Sequence, residues 1–513
     1  MALRLVGFTL LFGCTAAPEQ PCMDGYSRGA DGRCISEPDD VASETPSDPA
    51  SSDTGEPISL VRVECAPDSP TNEPSIEMIG KYDTDDNTEP PGLLIEALDG
   101  VVDQERFWVV GQGGLLSFDI SGDVPELGDV FGGMSGRFYR LMLVDHDPPL
   151  VYATHRDSGL QIVDRSDPSD LRLVKTVTKD GLGGMVQVGD RVYATQHDGT
   201  LVVFDATDPT APEERASIEA PGHPWNVVET NGWLYTADNT RGVGAFSLSD
   251  PDEPEFVGHT DLGNGVLDLA TDGTRLFAAA GSAGLIVLDL SDPSSPRESA
   301  RLWTGSPVVD VSVSDAMVWL VDHEAVWAVD VRQPDQPTVI GRMETPRFAM
   351  SVWAEGDEAW VGDWTAVEGY RAHPERAAST IVAHPDTLRL ASDRHDATVR
   401  LVNLGPHDGA LLRWDANETD ATIGVSSTTV GAQDGVTIAV DWPESTGNGQ
   451  VCLLTSDPSN PTVSINVQRS DQRLSVPVGT AAPDFELPTL DGERLRLSEQ
   501  LGHPVLLVYF ATW

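Results

Sequence analysis

The chain of 513 residues is long enough for about three ordinary domains and for large buried cores. Its 32 Lys and Arg stand against 82 Asp and Glu, a formal charge of −50. Such a surface repels phosphate backbones and anionic headgroups, which disfavours nucleic-acid binding, and solubility or a saline habitat accounts for the charge without any ligand.

The chain opens MALRLVGFTLLFGC, with Arg4 as a positive start and residues 5–12 as a short apolar run. That run falls short of the roughly 20 residues a spanning helix needs and suits a secretory signal. Leu11-Phe12-Gly13-Cys14 resembles the lipobox of bacterial lipoproteins. The resemblance implies a signal peptide over 1–13, cleavage before Cys14, a lipid on its sulfur and attachment to a membrane. The plainer alternative is an ordinary signal peptide with a chance cysteine. Thr15 follows where an Asp would retain such lipoproteins, which implies the outer rather than the inner membrane of the cell envelope. Export places Cys22, Cys34, Cys65 and Cys452 in an oxidising compartment, where an even set suits disulfides. A local Cys22–Cys34 bridge fits the turn-rich residues between them. Cys65 and Cys452 either pair or stay free. Residues 36–59 are acidic, rich in Ser and Pro and poor in large apolar residues, so residues 14–73 read as an anchored segment and flexible stalk.

A repeat then takes over. The aromatics Trp108, Tyr152, Tyr193, Tyr235, Phe277, Trp319 and Trp360 lie 44, 41, 42, 42, 42 and 41 residues apart. Each sits in an apolar run, followed by a small-residue turn, an alternating run and an Asp-Pro turn, as at Pro168, Pro209, Pro251 and Pro293. A period near 42 built of short strands predicts propeller blades, here seven over residues 74–376. Asp opens such a turn by accepting a backbone N–H ahead, and Pro presets φ while ending the ladder. PSIEMIGKY (residues 74–82) looks like an outer strand but precedes the first blade, so 76–82 is expected to complete the last blade and close the ring. GLQIVDRSDP (159–168) and GLIVLDLSDP (284–293) resemble the LVIVD repeat of bacterial surface-protein propellers.

From 377 to 470 the period is lost. Alternating segments at 388–390, 398–403, 436–440, 451–455 and 462–467 predict a β-sandwich, and VRLVNLG and LLTSDPSNPTVSINV resemble Ig-like envelope domains, implying a spacer or adhesion module. Within 471–513, Ala482-Pro483-Asp484-Phe485, Leu490-Asp491-Gly492, Leu497-Ser498 and Gly502-x-Pro504 resemble the opening of a redoxin, a thioredoxin-fold (α/β) domain. That resemblance implies a reactive Cys after Trp513, with its thiolate stabilised at a helix N-terminus. No catalytic residue of that family is present. Two readings of this end stand: a UGA codon decoded as selenocysteine, or a truncation or mutation.

The mainly β fold supplies the other candidates. Loops between the second and third strands of each blade share a face with the blade-to-blade connections. His155, His197, Asp238, His323 and Asp363 lie in the first set, and His223, Trp225 and Trp303 in the second. They could hold a protein or small-molecule ligand at the propeller face. No HxH or HExxH spacing marks a metal site, no cofactor is expected, and the repeated tryptophans and tyrosines are expected in the core. Asp83-x-Asp85-Asp86-Asn87-x-Glu89 resembles a calcium loop only loosely and reads as a solvated acidic loop. The expected function is an envelope lipoprotein displaying a thiol or selenol oxidoreductase, the alternative a non-enzymatic binding or adhesion protein.

Overall fold

The computed structural model describes residues 74–84, 95–132, 137–333, 335–385, 387–391, 395–415, 421–443, 447–457 and 462–470. It also describes two short antiparallel pairs, Tyr26–Arg28 with Cys34–Ser36 and Glu486–Pro488 with Arg494–Arg496. Cys14, Cys22, Cys65 and most of the calcium-like and redoxin stretches lie outside the described residues. Cys452 is buried, and Cys65, its candidate partner, lies outside the described residues.

Seven four-stranded antiparallel sheets follow the repeat, and the chain forms a β-propeller. The first sheet runs Ala97–Asp103, Arg106–Gly111, Gly114–Asp119 and Glu126–Phe131. The next five repeat that order, beginning at Phe138–Val144, Leu182–Val188, Pro224–Thr230, Asp268–Thr271 and Val308–Ser314. The seventh takes Ala349–Glu355, Glu358–Asp363 and Ala366–Ala372, and its outer strand is Ile76–Asp83 from the start of the repeat region. That pairing is the closure expected from the sequence. Each sheet's first strand packs beside the first strand of the next, and the seventh returns to the first.

The periodic aromatics have a mechanical role. Tyr152, Tyr193 and Tyr235 are fully buried on second strands, and each hydroxyl donates to a proline carbonyl in the Asp-Pro turn of the following sheet. Those bonds reach Pro209 at 2.5 Å, Pro251 at 2.9 Å and Pro293 at 3.0 Å. Within the turns the aspartates accept the backbone N–H two residues on, as Asp167 does from Ser169, Asp208 from Thr210 and Asp292 from Ser294.

Around the ring's axis, Asp99, Arg140, Asn226, Asp268, Asp310 and Ser351 take one place in six first strands. Arg140 lies 3.7 Å from Asp99 and 3.4 Å from Asp268, and Asn226 donates to Asp268. Gly184 in the third sheet leaves room for this belt: a Cβ there would meet Asn226 Oδ1 at 1.9 Å. Burial pushes Asp99 up to about 6 even beside Arg140. Burial, then the charge of Asp268, holds Asp310 well above the usual carboxylate range.

Residues 381–470 form two facing sheets of four and five strands around one core that includes Leu401, Trp414, Ile438, Trp442 and Ile465. The five segments expected from the sequence are strands here; Ile381–His384, Gly409–Asp415, Thr422–Val425 and Thr429–Val430 are additional. This sandwich packs on the propeller. Val382, Val402 and Leu404 join the core of the fifth and sixth sheets, Val339 N–H donates to Leu404 O at 3.1 Å, and Trp303 meets the His384 ring edge-on at 3.9 Å.

Two stability predictions follow from the buried charges. Arg140→Met strands Asp99 and Asp268 without their cation and is expected to destabilise the propeller by about 3–5 kcal/mol in urea unfolding. Glu368 is fully buried, takes a 2.6 Å bond from the Tyr370 hydroxyl, and is pushed by burial up to about 7. A carboxyl whose folded pKa is raised gives stability that is complete below its unfolded pKa and lost as pH rises through the folded one. Stability should therefore fall between about pH 4 and 7, and Glu368→Gln should recover up to about 3 kcal/mol at pH 8, read from unfolding midpoints across pH.

Candidate functional site

The face carrying the second-to-third-strand loops gathers the sequence candidates into two groups and leaves His155 and Trp303 apart, Trp303 against His384. His155 stands alone. Its Nδ1 accepts the N–H of Asp157 at 3.1 Å and of Ser158 at 3.2 Å, and its ring meets Phe138 edge-on at 5.0 Å. Burial holds it below the usual imidazole range, so it is a neutral cap of its own turn.

The first group joins His197, His223 and Asp238 from neighbouring sheets. The His197 and His223 rings stack at 5.5 Å with planes 16° apart, and His197 lies 4.8 Å from Trp225 and 5.5 Å from Tyr139. Tyr139 and Trp225 occupy the same place in the repeat. Each is the residue skipped where the first-strand register shifts, between Phe138 and Arg140 and between Pro224 and Asn226. Such a bulge releases one residue from the ladder and re-aims its side chain, here toward the histidines.

Asp238 fixes the His223 loop. Its Oδ1 accepts the N–H of His223 at 3.0 Å and of Thr240 at 2.8 Å, and its Oδ2 meets His259 Nε2 at 3.1 Å. Burial works against its charge, but these bonds and the Thr240 hydroxyl outweigh it and hold Asp238 below the usual carboxylate range. Gly222 is required for this approach: with φ +113°, a Cβ there would meet Asp238 Oδ2 at 2.0 Å.

Three polar atoms in this group, His197 Nε2, His223 Nδ1 and Trp225 Nε1, are buried with no hydrogen-bond partner. Leaving such a group unmet costs about 1–3 kcal/mol, so each calls for a water or ligand atom to meet it. Burial, then His223 and Arg140, keeps His197 below the usual imidazole range. Beside it a cavity of about 490 Å³ is lined by Tyr139, Arg156, Asp157, Asp180, Gly181 and His197.

The second group joins His323 and Asp363 through Phe348 and Trp364. Phe348 meets the His323 ring at 5.7 Å and the Trp364 ring at 6.1 Å. Asp363 is fully buried, accepts the N–H groups of Arg347 and Trp364, and is raised by burial. Among the described residues no three His, Cys, Asp or Glu side chains are placed to hold a metal ion.

Residues 151–179 and 266–304, in the second and fifth sheets, match the family model of the LVIVD repeat. The chain carries LVIVD repeats. No curated protein matches it. Among solved structures, it is similar to the WD40 β-propeller domain of Doa1 at 12% identity and a TM-score of 0.46, over 59% of this chain and 98% of that one. The LVIVD match takes in His155 and its turn but neither His197, His223 and Asp238 nor His323 and Asp363.

Sequence reasoning placed the histidines on the right face but missed Tyr139, His259, Phe348 and Trp364. The repeated aromatics Trp108, Trp319 and Trp360 are buried, whereas Trp225 and Trp364 are half-buried and stand in the two groups. The available signal was an aromatic at the second place of a first strand, at Tyr139 and Trp225.

Proposed function

We propose that this chain is a non-enzymatic recognition protein: a seven-bladed propeller whose mouth takes a small polar ligand, with an Ig-like sandwich as spacer, carried on an exported, lipid-anchored envelope lipoprotein. The observation that carries the reading is the meeting of His197, His223 and Trp225, three buried polar atoms without protein partners, beside a cavity edged by Arg156, Asp157 and Asp180. The cavity offers Arg156 as a donor and Asp157 and Asp180 as acceptors beside the Tyr139 ring, a lining suited to a polyhydroxylated ligand that both donates and accepts. The anchor reading rests on residues 11–14 of the sequence. Among the described residues no helix is long and apolar enough to cross a membrane.

The test is titration of the full chain with a panel of neutral oligosaccharides, read by tryptophan fluorescence. Saturable binding that weakens about tenfold in His197→Ala, the loss of one or two good hydrogen bonds, supports the reading. No binding across the panel, or binding indifferent to both His197→Ala and His223→Ala, overturns it.

A redoxin reading has its own support. Glu486–Pro488 and Arg494–Arg496 pair antiparallel on either side, in sequence, of Leu490-Asp491-Gly492. If it is a thiol or selenol oxidoreductase, the protein isolated from its own cells should reduce a disulfide substrate or a peroxide, and inactivity leaves the binding reading alone.

A further inference from the structure

The second group on the ring's face has a chemistry of its own. His323 follows Met317–Asp322, Phe348 precedes Ala349–Glu355, and Trp364 follows Glu358–Asp363, so loops of the sixth and seventh sheets bring three rings together. Their planes are steeply inclined, His323 to Phe348 at 85° and Phe348 to Trp364 at 64°, so they form walls rather than a stack. Phe348 is 53% exposed, an apolar ring that no packing need accounts for. The walls edge a cavity of about 580 Å³ whose rim includes Glu324, Glu344 and Arg347.

The charges favour a cation. Three carboxylates, Glu324, Glu344 and Asp363, stand against two guanidiniums. Arg342 is committed below, 3.2 Å from Glu344 and 3.9 Å from Glu324, with its guanidinium 5.4 Å from the Trp327 ring. Arg347 sets its charge against Asp363. His323 adds no positive charge at neutral pH, because burial holds it below the usual imidazole range. The surrounding surface, at −50 overall, raises the local concentration of any cation.

Hydrated metal ions gain little from aromatic walls. A cation with an apolar skin gains from both the ring faces and the carboxylates. We propose that this cavity is a second binding site, for a small organic ammonium ion of the choline type, held against the Phe348 and Trp364 rings with Glu324 and Glu344 at its rim. It is independent of the oligosaccharide reading at the other group, which shares no residue with it.

The experiment titrates the full chain with choline and with its uncharged isostere 3,3-dimethylbutan-1-ol, by calorimetry and by saturation-transfer NMR. Choline should bind saturably, and the isostere about 5- to 30-fold more weakly, the difference a desolvated cation–π contact makes. Phe348→Ala should weaken choline about 5-fold or more. Its side chain is exposed, so an unchanged melting temperature confirms the fold, and Trp364→Phe gives a milder second variant expected to weaken choline in the same direction. Rising salt should weaken choline and leave the isostere alone. No saturable choline binding, equal affinity for the two probes, or choline affinity unmoved by both variants overturns the proposal. His197→Ala should leave choline binding intact, which separates this site's fate from that of the first.

Discussion

Sheets of a propeller share no main-chain ladder with their neighbours, so something else must set how each sits on the next. In this chain it is a set of side chain to main chain bonds whose sequence separation equals the repeat. Asp99 accepts the N–H of Leu141, Asp129 that of Leu171 and Asp310 that of Val352, each 42 residues on. Ser312 accepts from Ala354 and Ser314 from Gly356 at the same interval, and Asn231 donates to Gly273 O. The tyrosine hydroxyls reach further, 57 or 58 residues, because they cross to the turn of the following sheet. A buried backbone N–H must find an acceptor. Supplying that acceptor from the preceding sheet turns an obligation of each strand into a fixed spacing between sheets.

That frame relieves the mouth of structural duty. The bonds lie along the first strands, on the outer turns and around the axis, and the loops between second and third strands are tied separately, by main-chain bonds such as His197 N–H to Gly181 O and Arg156 N–H to Arg137 O. His155 and Asp238 show the local remedy, each accepting N–H groups of its own turn. His197, His223 and Trp225 show what remains when no such remedy is taken. Polar atoms left unmet there cost stability, and a ring closed by Ile76–Asp83 on Ala366–Ala372 can bear it.

The parts legible in the sequence were those that repeat. Aromatics at a constant interval, Asp-Pro turns and a displaced outer strand at residues 76–82 carry one meaning wherever they recur. The axial belt was not legible, because Asp99, Asn226, Asp268 and Asp310 are single polar residues in strands and read like any solvent-facing position. Only the ring places them beside Arg140. The mouth was half legible. Topology told which face His197 and His223 share, but a register shift at Tyr139 and Trp225 decides what meets them, and a bulge leaves no composition behind. Short strands such as Thr422–Val425 and Thr429–Val430 offer too few residues for alternation to show.

The charge of the chain also takes on a more definite meaning. The second, third and fifth repeats use aspartates twice around the outer turn, once closing the third strand and once before proline, and others keep one of the two. Asp119, Asp205 and Asp289 serve the first purpose, accepting the N–H of Ser121, Thr207 and Ser291, and Asp167, Asp208 and Asp292 serve the second. Hydrogen bonds from the following Ser or Thr hold Asp119, Asp167, Asp205 and Asp208 below the usual carboxylate range, so they stay ionised as acceptors. A protein that punctuates most of its sheets with aspartates accumulates negative charge on its rim as a consequence of its turns. The acidity therefore says little by itself about a partner. What is informative is where the pattern is broken: at Arg140, enclosed by carboxylates at the axis, and at the exposed ring of Phe348, where acidic side chains surround an aromatic wall instead of a turn.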